Sequence, residues 1–269
     1  MKGKRKTLSV VIIAGNEEGK IADCLESVSW ADEIIVVDSE SKDRTVEIAK
    51  RYTDKVFIKK WEGYAPQKQF AIGKATCDWV LSLDADERVS PELRKEIESI
   101  LESETEYDGF YVPRRNFFLD KWIKSCGWYP DYQLRLFKNG KARVTPKKVH
   151  EGFIVDGKVG YLKGDLIHLT HVDLFDTFEK INHYSSLSAE ERASKRVVKW
   201  YHILFAPFLA FLSHFILKRG FSDGVYGLMV SLNHAMTKLQ TYMPSGLHSS
   251  CSIFHFVSKI SNLLKPSQK

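Results

Sequence analysis

Short apolar runs alternate with helix-patterned segments through the first hundred residues, and this alternation constrains the fold more than any other feature. The apolar runs, which predict strands, cover residues 8–14, 34–37, 56–58 and 79–83. The segments with helical periodicity cover residues 17–28, 43–49, 66–75 and 91–101. Apolar strands that alternate with helices are typical of a parallel sheet covered on both faces. The sequence therefore predicts an α/β fold with Rossmann-like βαβ units and a mostly parallel central sheet.

The pattern changes after residue 105, where shorter apolar runs are separated by connections rich in aromatic residues, Gly and Pro. These runs predict strands at residues 109–112, 133–137, 142–144 and 159–162, followed by an amphipathic helix at 173–192. We expect residues 1–104 and 105–194 to form two halves of one domain, in which the second half completes the sheet of the first.

The positive charge of the chain is concentrated at its C-terminal end. The net charge is +6, and residues 195–269 contain nine basic residues and one acidic residue, so +8 belongs to this segment and −2 to residues 1–194. A domain that binds duplex nucleic acid usually carries a basic face on its folded body, so we expect no nucleic-acid partner. A hydrophobic fraction of 43% excludes a disordered chain.

Residues 200–217 form the most apolar stretch and contain no Asp, Glu, Lys or Arg. Basic residues flank this stretch on both sides, and its 18 residues, which include Pro207, are at the lower limit for crossing a bilayer. We expect residues 195–269 to be a helical membrane-docking tail, with a helix or kinked hairpin at the membrane surface and its cations near anionic lipids. The alternative interpretation is a buried core helix.

Cysteine usage and the N-terminus favour a reducing compartment. The four cysteines are far apart and form no CxxC motif, so we expect neither a zinc site nor a disulfide framework. The basic N-terminus is followed by an apolar run that is too short for a secretory signal. We therefore expect a cytoplasmic protein.

Polar residues directly follow three of the predicted strands. These clusters are Gly15-Asn16-Glu17, Asp38 and Asp84-Ala85-Asp86. Ligands of open α/β sheets bind beyond the carboxyl ends of the strands, so we expect the three clusters to meet in space. In an extended segment, Asp84 and Asp86 would point the same way and address one Mg²⁺ or Mn²⁺ ion. Asp43 is interpreted as the N-cap of the helix that follows it.

The chain resembles glycosyltransferase family 2, the inverting GT-A type, and within it the bacterial lipopolysaccharide-core branch. The resemblance covers roughly residues 7 to 240 and rests on the ordered motifs LSVVIIAGNEE, ADEIIVVDSESKDRTVEIA, QKQFAIGKATCDWVLSLDADE, YPDYQLRLF and VHEG. It implies that residues 1–104 bind a nucleotide-diphosphate sugar, usually UDP-linked, and that residues 105–194 bind the acceptor. The implied acceptor is a lipid-anchored saccharide at the cytoplasmic face of the inner membrane. The alternatives are a polyprenyl-phosphate acceptor or a non-catalytic, membrane-associated protein that binds sugar nucleotides.

The resemblance also implies which residues bind the donor. It assigns to the nucleotide sugar Ala14, Asn16, Glu17, Asp38, Lys68 and Asp84. Within this set Asp38 binds the base, Lys68 lies near the diphosphate, and the neighbouring Asp86 holds the divalent metal. The sequence departs from the family in two places. Ala14 and Gly15 replace the commoner Thr and Tyr, which implies backbone contacts there, and Glu40 and Lys42 replace the Gly and Thr of the second motif.

An inverting transfer needs a general base that takes the proton of the acceptor hydroxyl. Members of the family often supply this base as a carboxylate in a Glu-Asp motif, and the present sequence has no such motif in its second half. The candidates are Glu151 and Asp131. We favour Glu151, which precedes a glycine in a predicted loop. The structural alternatives are a weak ion pair of Glu151 with Lys147 or Lys148, and an Asx-turn of Asp131 after Pro130.

Three further groups of residues are candidates for binding. His168 could complete the metal site begun by Asp86, and His150 is a second candidate for the same role. Arg135 could bind a diphosphate through its planar guanidinium, or it could form a cross-strand ion pair. Several aromatic residues could stack on sugar rings or pack in the core: Trp122, Trp128 and Tyr129.

Overall fold

The computed structural model describes residues 5–145, 152–171 and 200–242. The chain divides into two compact units, whose boundary lies after residue 172. The predicted domain boundary at residue 194 and the predicted helix at 173–192 lie outside the described residues, and both stay predictions.

The first unit is an α/β structure, as predicted. Its strands are β1 (Leu8–Ala14), β2 (Glu33–Asp38), β3 (Val56–Ile58), β4 (Trp79–Asp84), β5 (Glu87–Val89), β6 (Gly109–Phe118), β7 (Lys121–Trp122), β8 (Asp131–Lys138), β9 (Ala142–Val144), β10 (Phe153–Val155), β11 (Val159–Tyr161) and β12 (Leu166–His171). Its described helices are α1 (Ile21–Glu26), α2 (Thr45–Ala49), α3 (Tyr64–Ile72) and α4 (Pro91–Glu102).

The central sheet has the strand order β3-β2-β1-β4-β8-β6-β12-β5, with β7 and β11 also paired to β6. The first four strands in this order are parallel, which confirms the βαβ prediction. β8 runs antiparallel to both β4 and β6, and β12 is parallel to β6. Because β6 and β12 therefore run in the same direction as β1, β2 and β4, the ends of all five strands point to one edge of the sheet. β9 and β10 form a separate antiparallel pair.

Helices cover both faces of the sheet because the strands have no polar side. All seven residues of β1 are buried. On one face the core includes α1 and α4, and on the other face it includes α3. α4 begins as its sequence predicts: Pro91 occupies the first turn, and the Ser90 hydroxyl accepts a hydrogen bond of 3.2 Å from the N–H of Leu93.

Helix α1 is shorter than predicted, and the reason lies in the loop before it. The periodicity indicated a helix from residue 17, but α1 begins at Ile21. The N–H of Glu17 donates to Oγ1 of Thr45, the first residue of α2, at 2.7 Å, and the N–H of Glu18 donates to Oδ2 of Asp43, in the loop after β2, at 3.0 Å. These hydrogen bonds tie the first loop to the second, and the helix starts only beyond them.

The described part of the second unit consists of two helices, α5 (Trp200–Leu212) and α6 (Gly224–Tyr242), joined by a π-helical turn (Ser213–Leu217) and a 3-10 turn (Gly220–Asp223). The two helices pack against each other, and the ring of His214 in the π-helical turn stacks on that of His234 in α6, with centroids 3.9 Å apart. In the described residues no single helix is long and apolar enough to cross a bilayer, although the bent pair Tyr201–Leu217 and Gly220–Tyr242 meets that criterion together, at an angle of 67°. The predicted helix within 200–217 is confirmed.

Candidate functional site

The loops that follow β1 and β2 are joined by hydrogen bonds at the carboxyl edge of the sheet. The carbonyl of Ala14 accepts from the N–H of Ser39 at 2.9 Å and from its hydroxyl at 3.0 Å. The Asn16 side-chain oxygen accepts from the N–H of Lys42, and the Asn16 N–H donates to the Ser41 hydroxyl, both at 2.8 Å. The predicted meeting of the first two polar clusters is therefore present in the structure.

Asp38 lies at the end of β2 and is completely buried. Its carboxylate accepts hydrogen bonds from the N–H of Ser41 at 2.8 Å and from the Ser41 hydroxyl at 2.5 Å, so it fixes the turn that follows the strand. Asp43 accepts from the N–H and hydroxyl of Thr45, the first residue of α2, but the N-cap position is Arg44, one residue later than predicted. The base-binding role of Asp38 stays a prediction.

Glu17 forms an ion pair with Lys20 at 3.2 Å, one turn along the chain. This pair keeps the Glu17 carboxylate on the loop that joins β1 to α1, at the same edge of the sheet as Asn16. Its contact with a nucleotide stays a prediction.

Asp84, at the end of β4, lies between two buried cations. Its Oδ1 atom is 3.2 Å from Lys68 Nζ, and its Oδ2 atom accepts a hydrogen bond of 2.7 Å from Arg135 Nη2. Burial disfavours the charged carboxylate, but the charges of Arg135 and Lys68 outweigh burial and hold the pKa of Asp84 well below its usual range. Three residues expected at the donor site are therefore in direct contact.

Glu87 belongs to the same cluster, although no sequence motif indicated it. It is completely buried, and its Oε1 atom accepts from Arg135 Nη2 at 2.6 Å and from Arg114 Nη1 at 3.3 Å. Its Oε2 atom accepts from the N–H of Asp84 at 3.0 Å. Although burial opposes the charge on Arg135, Asp84 and Glu87 raise the pKa of its guanidinium above the usual value. Arg135 thus forms the cross-strand ion pair considered from the sequence, and its contact with a diphosphate stays a prediction.

The two aspartates of the Asp84-Ala85-Asp86 motif contact different side chains. An extended segment was expected, but residues 85 and 86 form the turn between β4 and β5. The hydrogen bond from the Asp84 N–H to Glu87 closes this turn. The Asp84 carboxylate contacts Lys68 and Arg135, whereas the Asp86 carboxylate faces His168. The expectation that both aspartates address one ion stays a prediction.

Asp86 and His168 face each other across β5 and β12. The Oδ2 atom of Asp86 is 3.5 Å from Nε2 of His168, and both side chains are mostly buried. On the other side of the ring, His168 Nδ1 lies 2.6 Å from Oδ1 of Asn116. The Asn116 amide donates through Nδ2 to the carbonyl of Trp128 at 3.0 Å, so Oδ1 is its acceptor atom and Nδ1 of His168 carries the hydrogen. Nε2 is therefore the ring atom that faces Asp86.

Asp131, the second candidate base, has both oxygens engaged by other side chains. Arg114 donates to Oδ2 through Nε at 2.9 Å and through Nη2 at 2.5 Å, and Gln133 donates to Oδ1 at 2.8 Å. Burial raises the pKa of Asp131, but Arg114, Gln133 and Asn116 outweigh burial and lower it below its usual value. The ion pair with Arg114 takes the place of the Asx-turn considered from the sequence. Glu151 and His150 lie outside the described residues.

The aromatic candidates contact other side chains of the protein. Trp122 has the guanidinium of Arg115 at 4.8 Å and the ammonium of Lys124 at 4.4 Å from its ring centroid, and its ring meets Tyr129 edge to face at 5.1 Å. Trp128 packs against Phe118. Stacking on a sugar stays a prediction for all three.

The residues that the sequence analysis missed, Glu87, Arg114 and Asn116, lie in strands or directly after the aspartate motif. A signal for two of them was present. Arg114 and Asn116 alternate in a strand-like segment and interrupt its apolar pattern, which indicates polar side chains that share one face of a strand. Glu87 directly follows the two aspartates of the motif, and no sequence pattern distinguishes it from an ordinary surface acid.

Comparisons with known proteins give matches over most of the chain. Residues 9–168 match the family model described as glycosyl transferase family 2. The chain is 32% identical over 242 residues to the lipopolysaccharide core biosynthesis glycosyltransferase LpsC of Rhizobium meliloti (strain 1021), covering 85% of this chain and 88% of LpsC. It is 33% identical over 250 residues to the uncharacterized glycosyltransferase RP128 of Rickettsia prowazekii (strain Madrid E), covering 87% of this chain and 84% of that protein. The resemblance inferred from the sequence is confirmed.

Similar solved structures include S. aureus TarS 1–349 in complex with UDP, with a TM-score of 0.45 at 16% identity, covering 91% of this chain and 90% of that chain. Another is glucosyl-3-phosphoglycerate synthase from Mycobacterium tuberculosis in complex with Mg²⁺ and UDP. Its TM-score is 0.35 at 24% identity, and the match covers 42% of this chain and 44% of that chain.

Proposed function

Because this chain belongs to glycosyltransferase family 2, we propose that it transfers a sugar with inversion from a UDP-linked donor to a lipid-anchored saccharide, in a reaction that depends on Mg²⁺ or Mn²⁺. The proposed acceptor is the lipopolysaccharide core, since the chain is similar to LpsC over 85% of its length. The proposed location is the cytoplasmic face of the inner membrane.

The pairing of Asp86 with His168 is the observation that carries this proposal. A carboxylate oxygen and an imidazole nitrogen 3.5 Å apart are close enough to bind one ion from adjacent positions. A histidine that binds a metal through one ring nitrogen usually donates the N–H of the other to a protein acceptor. His168 donates its Nδ1–H to Oδ1 of Asn116 in this way. Within the described residues no three His, Cys, Asp or Glu side chains are grouped to hold a metal. A two-ligand site fits Mg²⁺ or Mn²⁺, which keep positions for water and substrate phosphates.

A divalent ion held by Asp86 and His168 would neutralise the charge that develops on the leaving diphosphate. The side chains of the protein contribute to the same task without the ion. Lys68 supplies a cation beside Asp84, where the diphosphate is expected. The buried pairs of Arg135 and Arg114 with Asp84, Glu87 and Asp131 hold this part of the site rigid before substrate binds, which is the preorganisation that electrostatic catalysis requires.

We assign the general base to Glu151 rather than Asp131. A base is most effective when its pKa is near the working pH, and the ion pair with Arg114 moves the pKa of Asp131 away from that value. Glu151 would take the proton of the acceptor hydroxyl as the hydroxyl oxygen bonds to the anomeric carbon and the bond to the diphosphate breaks. The nucleoside diphosphate leaves from the opposite face, which gives inversion.

The proposed membrane contact rests on the second unit. Its described helices carry large apolar side chains that are exposed, and those on α5 are Tyr201, Leu204, Phe205, Phe208 and Leu209. Lys218 and Arg219 lie at the break between the helices, where they could meet anionic headgroups. An exposed apolar surface next to basic residues is typical of a membrane-docking element.

Turnover with a panel of nucleotide sugars tests the proposal. The purified protein would be assayed with Mn²⁺ and two lipid acceptors, truncated lipopolysaccharide and polyprenyl phosphate. We expect release of a nucleoside diphosphate with one donor and with the saccharide acceptor, and none with Asp86→Asn. Glu98→Gln, a change in an exposed ion pair of α4, is the matched control and should turn over normally. Transfer to polyprenyl phosphate alone would replace the proposed acceptor, and no turnover with any donor would contradict catalysis.

Flotation with vesicles tests the membrane contact separately. We expect the full chain to float with vesicles that contain an anionic lipid, and Phe208→Asp with Leu209→Asp to reduce this binding at least tenfold, because two charges would enter the apolar surface. The pair Tyr52→Asp and Ile58→Asp, at exposed apolar residues of the first unit, is the control. Equal flotation of both double variants would contradict docking through α5.

A further inference from the structure

An exposed tryptophan follows β3 at the edge of the sheet where the donor is expected. β3 pairs with β2, with Ile58 opposite Asp38, and the N–H of Lys59 donates to the carbonyl of Asp38 at 2.9 Å. The chain then leaves the strand, and Trp61 is 44% exposed in this loop. This large aromatic ring is therefore partly open to solvent near the carboxyl ends of parallel strands, where ligands of such sheets bind.

The loop holds Trp61 in a defined place. The rings of Trp61 and Tyr64 meet edge to face, with centroids 4.8 Å apart and planes at 89°. Such a contact covers at most one face of either ring, so Trp61 keeps an open face. The Gln67 amide donates to the carbonyl of Lys59 at 3.3 Å, and Gln67 is itself buried, which fixes the start of the loop to α3.

Helix α3 connects Trp61 to the acidic cluster. Tyr64 and Lys68 lie one turn apart on this helix, and the Lys68 ammonium is 5.9 Å from the Tyr64 ring centroid. The same ammonium lies 3.2 Å from Asp84. One line of contacts therefore runs from the open ring of Trp61 through Tyr64 and Lys68 to the end of β4, where the diphosphate is expected.

The loops after β1 and β2 supply no aromatic side chain. Residues 15–20 read GNEEGK and residues 39–44 read SESKDR. A nucleobase bound beside Asp38 would find hydrogen-bonding groups there but no ring to stack on, and stacking is a major part of the binding energy of an unpaired base. The nearest loop of the same sheet edge, after β3, carries Trp61.

We propose that Trp61 stacks on the nucleobase of the donor, a role that rests on the proposed nucleotide-sugar function. The base and the diphosphate of the nucleotide would then bind at different positions along the edge of the sheet. The base lies between Trp61 and the end of β2, and the diphosphate lies toward Lys68. Trp61 then contributes to affinity for the nucleoside and not to affinity for the phosphates.

Calorimetric titration of the full chain in Mn²⁺ tests this division, with UDP and inorganic pyrophosphate as separate ligands. We expect Trp61→Ala to weaken UDP binding about tenfold or more and to leave pyrophosphate binding unchanged. Trp61→Phe, which keeps a stacking ring, should recover most of the UDP affinity. Tyr161→Ala removes an aromatic side chain that is 63% exposed on β11 and is the matched control, with wild-type binding of both ligands.

A second readout uses the fluorescence of the ring itself. UDP should quench part of the wild-type tryptophan emission, and this part should be missing in Trp61→Phe although that variant still binds UDP. Wild-type UDP affinity in Trp61→Ala would overturn the assignment while leaving nucleotide binding intact. Equal weakening of UDP and pyrophosphate would also overturn it, because Trp61 would then act through Lys68. Failure of the wild type to bind UDP at all would contradict the proposed function as well.

Discussion

The Nε2 atom of His168 lies 3.5 Å from the Oδ2 atom of Asp86, although the two residues belong to different halves of the first unit. The register of β12 brings them together. His168 is paired with Glu87 of β5 on one side and with Asn116 of β6 on the other, and the N–H of Leu169 donates to the carbonyl of Asp86 at 3.0 Å. The backbone pairing of β12 with β5 and β6 thus fixes the distance between Asp86 and His168 on which the proposed metal site depends.

Asn116→Ala should lower the affinity for Mn²⁺ about 10- to 100-fold. The substitution removes the acceptor that holds His168 Nδ1–H, so the ring loses both its orientation and its tautomer. Mn²⁺ binding would be measured by calorimetry in the presence of UDP, and turnover should recover at saturating Mn²⁺. Gln133→Ala, which removes a partner of Asp131 but not of His168, is the control. A variant with normal Mn²⁺ affinity would contradict the positioning role of Asn116.

Glu87→Gln should reduce the free energy of unfolding by about 3–5 kcal/mol, because it leaves the buried guanidinium of Arg135 without one of its two carboxylate partners. Urea unfolding at neutral pH measures the change. Glu98→Gln breaks the exposed pair with Arg94, and we expect a loss of no more than about 0.5 kcal/mol. Similar losses for the two variants would show that the buried cluster does not contribute to stability in this way.

Glu151→Gln should lower kcat about 10²- to 10⁴-fold, since the amide cannot accept the acceptor proton. UDP affinity should not change, because the proposed role concerns the acceptor hydroxyl alone. Asp131→Asn should reduce kcat less, because in the folded protein its carboxylate is already occupied by Arg114 and Gln133. The reverse order of kcat values would assign the base to Asp131.

Glu33 at the start of β2 should make stability fall in acid. Burial raises its pKa, but hydrogen bonds from Lys55, Ser9 and Thr76 outweigh burial and bring the pKa to about 2, compared with an ordinary value of 4.5. A carboxyl with a lowered pKa contributes stability that is complete above the unfolded value and is lost as the pH falls through the folded value. We therefore expect the contribution of Glu33, about 3 kcal/mol, to disappear between pH 4.5 and 2.

Chemical unfolding across that pH range, in wild type and Glu33→Gln, measures this contribution. The variant should be less stable than wild type at pH 7, and the difference should narrow as the pH falls. Glu104→Gln, at a carboxyl that is 93% exposed, should follow the wild type throughout. A constant difference between Glu33→Gln and wild type at every pH would contradict the low pKa.

The parallel half of the fold was predictable because β1, β2 and β4 are buried on both faces, so their sequences lack the polar alternation of half-exposed strands. Among the C-terminal strands, β9 and β11 were predicted at nearly their observed bounds, β6 and β8 were predicted too short, and β7, β10 and β12 were not predicted. β6 extends to Phe118, past the predicted end at residue 112, because Arg114 and Asn116 turn toward the site and interrupt the apolar pattern. Polar residues that face a binding site look like the end of a strand when only the sequence is considered.

The candidate site residues that directly follow strands could be predicted from the sequence. The contacts that depend on how the strands pair could not. Asp38, Asp84 and Asp86 were found by their position after apolar runs, and Lys68 and His168 by resemblance and residue type. The partners that define their chemistry were not. The pairing of β4 with β8 places Arg135 near the end of β4, where it meets Asp84 and the following Glu87, and the pairing of β6 with β12 brings Asn116 to His168. Such pairings join residues far apart in the chain, and no local pattern encodes them.

Calorimetric titration of UDP with and without Mn²⁺ tests the central claim that Asp86 and His168 form the metal site for the donor diphosphate. We expect tight UDP binding in Mn²⁺ and at least tenfold weaker binding in EDTA, with Asp86→Asn and His168→Ala each behaving in Mn²⁺ as the wild type does in EDTA. Equal UDP affinity in Mn²⁺ and EDTA, or full metal dependence in both variants, would contradict it.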